Sequence, residues 1–182
     1  MSTVQTSLQS RVLANAARGA SDGVIATAAM SAVMELGRRM GLLPEHPPKH
    51  VMRAGLPGHK RRPKKYESPL AILAHFAFGA GLGGLFSMAA GKRRVPVSLG
   101  VGYGVAIWIA GYQAGLPALD ILPPISEDRP GRPLVMGLGH VVFGACLAIL
   151  HNDQVRGQRL VPRLEEEAEP RPVPVHLGAG IG

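Results

Sequence analysis

Three long stretches of this chain carry no formal charge, and they constrain its fold more than any other feature. Residues 68–91 make a run of 24, residues 95–119 a run of 25 and residues 133–152 a run of 20. A helix crossing the hydrocarbon core of a bilayer needs about 20 predominantly apolar residues. Buried helices of water-soluble proteins seldom go that far without a charge, so the chain reads as an integral membrane protein. Its composition agrees. Of 182 residues 46% are hydrophobic but only 4% aromatic, while Gly (24) and Pro (16) are abundant, so the large rings that fill a soluble core are scarce. Twenty Lys+Arg against twelve Asp+Glu leave a formal net charge of +8, gathered into a few segments. That pattern argues against disorder throughout, a nucleic-acid-binding array and a soluble enzyme. The single cysteine, Cys146, excludes an intramolecular disulfide framework and a Cys-rich zinc site.

A fourth helix is expected over residues 19–41. Only twelve residues separate Asp22 from Glu35 there, but small side chains recur every fourth position. One row is Gly19, Gly23, Thr27 and Ser31, and another is Ala20, Val24, Ala28 and Ala32. Such rows let a second helix approach closely inside a membrane, and an interfacial helix is the alternative. Glu35 has Arg38 and Arg39 as natural partners at i+3 and i+4. Residues 1–18 read as a polar N-terminal segment without a secretory signal. Residues 153–182, rich in Arg, Glu and Pro, read as a loosely ordered tail. Between Arg38 and Glu67 stand Pro44, Pro47, Pro48, Pro57 and Pro63, which leave no room for a long helix. The expected fold is therefore all-α: an integral membrane four-helix bundle over residues 19–152, with helices at 19–41, 68–91, 95–117 and 133–152.

An internal repeat organises these helices. Pro69-Leu70, then four residues, then His75, Phe78, Gly79 and Ala80 matches Pro133-Leu134, then five residues, then His140, Phe143, Gly144 and Ala145. Each copy follows a helix rich in small residues, a Gly-Leu-Pro-type turn and a Pro-rich loop. Duplication of a two-helix hairpin explains the match, and it inserts both copies with the same polarity. Each histidine is the eighth residue of its charge-free run, so both sit about 10 Å inside the same surface at 1.5 Å per residue. Small residues follow each at i+4 and i+8: Gly79 and Gly83 in one copy, Gly144 and Ala148 in the other. These four, with Gly100 and Gly104, are the candidate helix-packing positions. Ionisable groups within spanning helices usually face the bundle interior. Three chemistries suit the pair His75 and His140: a hydrogen bond that fixes packing, proton handling near neutral pH, or axial ligation of haem b.

The basic run at residues 59–65 supplies Lys60, Arg61, Arg62, Lys64 and Lys65, suited beside a membrane to anionic lipid headgroups rather than to nucleic acid. Four spans would put eleven Lys/Arg on one side and nine on the other, too even for the positive-inside rule to set an orientation. No Walker loop, nucleophile elbow, zinc-protease motif or Cys-x-x-Cys pair occurs, so no metal site or catalytic set is expected.

Four short Gly/Ala-rich helices, a Pro-rich first loop and the His-x-x-Phe-Gly motifs from His75 to Gly79 and from His140 to Gly144 resemble the YagU-like small inner-membrane proteins of bacteria. The resemblance spans residues 19–151; the basic first loop and the Arg/Glu/Pro tail depart from it. It implies a multi-pass inner-membrane protein with no assigned reaction and a link to acid stress. The functional expectation is a non-enzymatic protein acting by packing and protonation, as a homo-oligomer or as an accessory subunit of a larger membrane complex. The alternatives are a haem b-binding redox or quinone-linked protein using His75 and His140, and a small transporter or channel.

Overall fold

The computed structural model describes residues 2–43, 47–58 and 62–168, and every element among them is helical. Helix α1 (Ser2–Arg39) is followed by a short α2 (Pro47–Gly55), then α3 (Glu67–Ala90) and α4 (Val97–Trp108). The chain winds on from α4 through a π-helical stretch (Ile109–Gly115) into one last turn, α5 (Leu116–Ala118). A 3-10 turn (Ile125–Glu127) then leads into α6 (Gly131–Ala168).

The helix ends follow from local chemistry. Gly41, at φ +76°, closes α1 with a Schellman pair, its own N–H donating to Arg38 O and that of Leu42 to Gly37 O, both at 3.0 Å. Gly91, at φ +62°, ends α3 in the same left-handed region. The prolines of the first long loop confine its helix to the nine residues of α2. Glu35 pairs with Arg38 at 2.7 Å and with Arg39 at 2.9 Å, one and the same carboxylate serving both.

Several boundaries depart from the sequence reading. α1 begins at Ser2 rather than near residue 19, because no Gly or Pro interrupts the first 18 residues and Ala, Leu, Gln and Arg all favour a helix. α6 continues well past residue 152 to Ala168, because Gln, Arg, Leu and Glu outweigh the polarity that suggested a loose tail. Only residues 169–182 of that tail lie outside the described residues. The third run is not one regular helix: twelve α-helical residues give way to the π-helical stretch at Ile109. By length and composition α3 and the Gly131–Gln158 part of α6 could each cross a membrane, whereas α1, with Arg18, Asp22 and Glu35 spread along it, is less apolar.

Packing is set by glycine. α1 lies against both α3 and α6, α4 lies against α6, and α2 against α3. A Cβ at Gly23 would strike the carbonyl of Gly79, and one at Gly83 the carbonyl of Gly19, so α1 and α3 touch backbone to backbone. α4 and α6 repeat the arrangement, Gly104 against the His140 carbonyl and Gly100 against that of Gly144. All these pairs are antiparallel. So is the α1–α6 pair, where Asp22 meets Gln154, Met30 meets Gly139 and Gly37 meets Val135. α3 and α6 therefore run parallel to each other.

Many large apolar side chains lie on the outside, and a few polar ones are buried within a mainly apolar core. Asp22, Thr27, Ser87 and His151 are buried, whereas Leu73 and Leu134 are each 67% exposed and Ile72, Phe78, Leu85 and Leu138 are exposed with them.

Gly104→Ala should lower the thermal midpoint in detergent, at a cost of about 1–3 kcal/mol, because backbone atoms cannot move aside without parting the helices. Gly102→Ala, whose Cβ would meet nothing within 4 Å, should be neutral or stabilise by up to about 1 kcal/mol. Equal losses in the two variants would refute the close-packing role.

Candidate functional site

α3 and α4 meet at the level of Tyr103. There the Tyr103 hydroxyl donates to Leu82 O at 2.9 Å and its ring lies 5.2 Å from that of Phe86. Toward α2 the two helices part, and between them lies a cavity of about 570 Å³. Its walls are α3 from Ala71 to Leu82 and the α4–α5 segment from Ile107 to Leu116. Thr27, Met30 and Met34 of α1 and Met136, His140 and Phe143 of α6 form the floor, and Pro47, Pro48, Val51 and Met52 of α2 close one end. None of the described residues lining it is charged.

His75 and His140 both line this cavity. His75 is one turn from Gly79, which packs on Thr27, and His140 follows Gly139, which packs on Met30. Thr27 and Met30 are one turn apart on α1, so the imidazoles stand at similar height on parallel helices. His140 Nδ1 lies 2.8 Å from the Met136 carbonyl. A carbonyl only accepts, so Nδ1 carries the proton and Nε2 keeps a lone pair. His75 meets Phe76 edge-on, ring centroids 6.2 Å apart.

The π-helical stretch shapes the opposite wall. Gly100 and Gly104 of α4 pack on α6, where Gly144 and Ala148 receive Gly100, while Gly79 and Gly83 of α3 pack on α1. Gly111, on the same sequence row as Gly100 and Gly104, instead borders the cavity, and a Cβ there would meet nothing within 4 Å. The extra residue in a π turn rotates everything after it. Tyr112, 1% exposed, donates its hydroxyl to Asp128, which also holds Arg132 at 2.8 Å and so ties the following loop to the wall.

α2 is held over the cavity by a buried ion pair. Arg53 meets Glu67 in a two-pronged contact, Nη2 to Oε1 at 2.6 Å and Nε to Oε2 at 2.9 Å, and the Lys64 N–H donates to Oε2 at 2.9 Å. Those donors hold the Glu67 carboxyl, which precedes the charge-free run, well below the ordinary carboxylate range at about 2. Of the basic residues suited to lipid headgroups, Arg62 and Lys65 are exposed. Lys64 turns inward instead and donates Nζ to Arg53 O at 2.6 Å, closing the end of α2. Lys60 and Arg61 lie outside the described residues.

A second polar cluster, toward the other end of the helices, was not singled out from the sequence. His151 Nε2–H donates to Arg93 O at 3.0 Å, and Nδ1 shares a hydrogen bond with the Ser87 hydroxyl at 3.2 Å, so both ring nitrogens are engaged. Gln154 donates to Asp22 at 2.6 Å, and Asn152 exchanges two hydrogen bonds of 2.8 Å with the backbone of Val95. Residues 140 and 151 are eleven apart, three helical turns, so their shared face was legible; the partners on α1 and α3 were not.

The Arg53–Glu67 pair gives a pH dependence. A carboxyl held below its unfolded value stabilises the fold fully above about 4.5 and loses that contribution as pH falls toward 2. Thermal midpoints of the native chain and Glu67→Gln should differ by a constant amount from pH 7 to pH 5 and converge below pH 4.5. A gap independent of pH would refute the ion pair.

In comparison with known proteins, no family model matches the chain, and neither a curated protein nor a solved structure does.

Proposed function

We propose that the chain is a small multi-pass protein of the bacterial inner membrane, built from two duplicated hairpins, α1 with α3 and α4 with α6. The observation that carries this reading is the apolar exterior: Ile72, Leu73, Leu85, Leu134 and Leu138 lie exposed, while Asp22, Ser87 and His151 are buried between helices. So broad an exposed apolar surface is unfavourable in water and suits hydrocarbon, where lipid-facing side chains must be apolar. Val97 to Ala118 is one helical rod of about 22 residues, about 33 Å long, enough to cross. On α1, the stretch from Gly19 to Met34 has Asp22 as its sole formal charge, and that carboxylate is turned inward.

The protein works without a catalytic residue set, by close packing and by protonation of inward-facing groups, as a homo-oligomer or an accessory subunit of a larger membrane complex. The YagU-like motif resemblance is the support for acid tolerance as its setting. The membrane reading is tested by alkaline carbonate extraction, with single cysteines at Arg94→Cys and Glu127→Cys in a Cys146→Ser background. The protein should stay in the pellet and the two sites should label from opposite faces of sealed vesicles. Release by carbonate, or labelling from one face, overturns the proposal.

A second reading, axial ligation of haem b, is favoured by the shared cavity of His75 and His140. Against it, two propionates would find no cation among the described lining residues. A colourless protein from haem-replete cells is therefore expected. A Soret band lost in both His75→Ala and His140→Ala would establish the haem.

A further inference from the structure

We infer that the cavity between α3 and α4 binds a neutral, hydroxyl-bearing ring compound of the membrane, of the isoprenoid quinol class, with its hydroxyl donating to His140 Nε2. The inference rests on the membrane reading above. About 570 Å³ is the size of a small-molecule site. The lining selects the class by elimination. With no charged side chain among the described lining residues, a carboxylate or phosphate would be buried without a counter-charge at prohibitive cost.

The hydrogen-bonding groups narrow it further. Thr27 Oγ1 is committed to Gly23 O at 2.7 Å and the Tyr112 hydroxyl to Asp128. His140 Nδ1–H is committed to Met136 O, so Nε2 presents a lone pair and accepts only from an O–H or N–H donor. A ketone, an ester or an oxidised quinone has no such hydrogen. Trp108 stands over Gly137, one turn before His140. Its indole N–H is buried with no hydrogen-bond partner among the described residues; a hydroxyl or a carbonyl oxygen can accept from it, so the preference for the quinol rests on His140. Trp108 and Phe143 offer flat faces to a ring, and Met30, Met34 and Met136 offer adaptable ones. The tail leaves where α3 and α4 part, past Gly111, which places no side chain in the opening.

Trp108 is the only tryptophan, so its fluorescence reports occupancy. The full chain in mild detergent is titrated with decylubiquinol, with oxidised decylubiquinone and with phosphatidylglycerol. Decylubiquinol should quench saturably and bind about tenfold tighter than the quinone, the worth of one buried hydrogen bond. His140→Leu should abolish that preference, and His140→Gln, which keeps an acceptor, should retain part of it. Gly111→Leu, which fills the opening and leaves the helix contacts alone, should weaken both ligands without lowering the thermal midpoint. Equal affinity for quinol and quinone, displacement by phosphatidylglycerol, or an unaltered preference in His140→Leu with the midpoint preserved would overturn the inference. Retention in carbonate pellets is read separately, so lost quinol binding in a membrane-retained protein defeats the ligand and not the membrane reading.

Discussion

The approach of helix backbones at glycine is the contact on which the rest depends. At Gly23–Gly79, Gly19–Gly83, Gly104–His140 and Gly100–Gly144 there is no room for a single methyl group. In the membrane setting proposed above, where no hydrophobic force draws helices together, van der Waals contact over such faces would hold the bundle together. α1 is bound to α3 in this way, and α4 to α6, so the bundle is built from two close-packed units. The contact of α1 with α6 then joins the units and leaves α3 and α4 on the outer flanks, free to part.

That separation makes the cavity. Tyr103, Leu82 and Phe86 join α3 to α4 at one level, and the π-helical stretch forms part of the cavity wall below it. The two ends differ in chemistry. Near the 92–96 turn, His151, Asn152 and Gln154 use their hydrogen-bonding groups on Ser87, Arg93, Val95 and Asp22, so that end is closed by polar contacts. At the other end α2 is clamped by Arg53, Lys64 and Glu67, and the space beneath it stays apolar. Of the three histidines on α3 and α6, His75 and His140 therefore line the cavity while His151 belongs to the polar cluster at the other end.

Much of this was legible in the chain. The charge-free runs located α3, the α4–α5 rod and the first part of α6, and the offset between His75 and His140 already put them at equal height. The Glu35 pairings followed from spacing. The extensions of α1 and α6 were missed because residues 1–18 read as a polar segment and residues 153–182 as a loosely ordered tail, although Ala, Leu, Gln, Arg and Glu hold a helix whether or not it is apolar. Lys64 was read as outward-facing because a basic run carries no mark of which member folds back on a carbonyl.

By itself the sequence determined helical class, the places where Gly and Pro end helices, and which residues are small enough to permit contact. These are local properties, set by backbone conformation and side-chain volume. Only tertiary structure decided which small row is used. α1 offers two, and it is Gly19, Gly23 and Thr27 that meet α3, while Val24, Ala28 and Ala32 of the other row lie exposed. It decided likewise that Gly100 and Gly104 are contacts but Gly111 borders a cavity, since one π turn rotates a face that a regular helix would keep continuous. Choices of this kind depend on which partner surface occupies the space, and that is a property of the whole packed assembly rather than of any one segment.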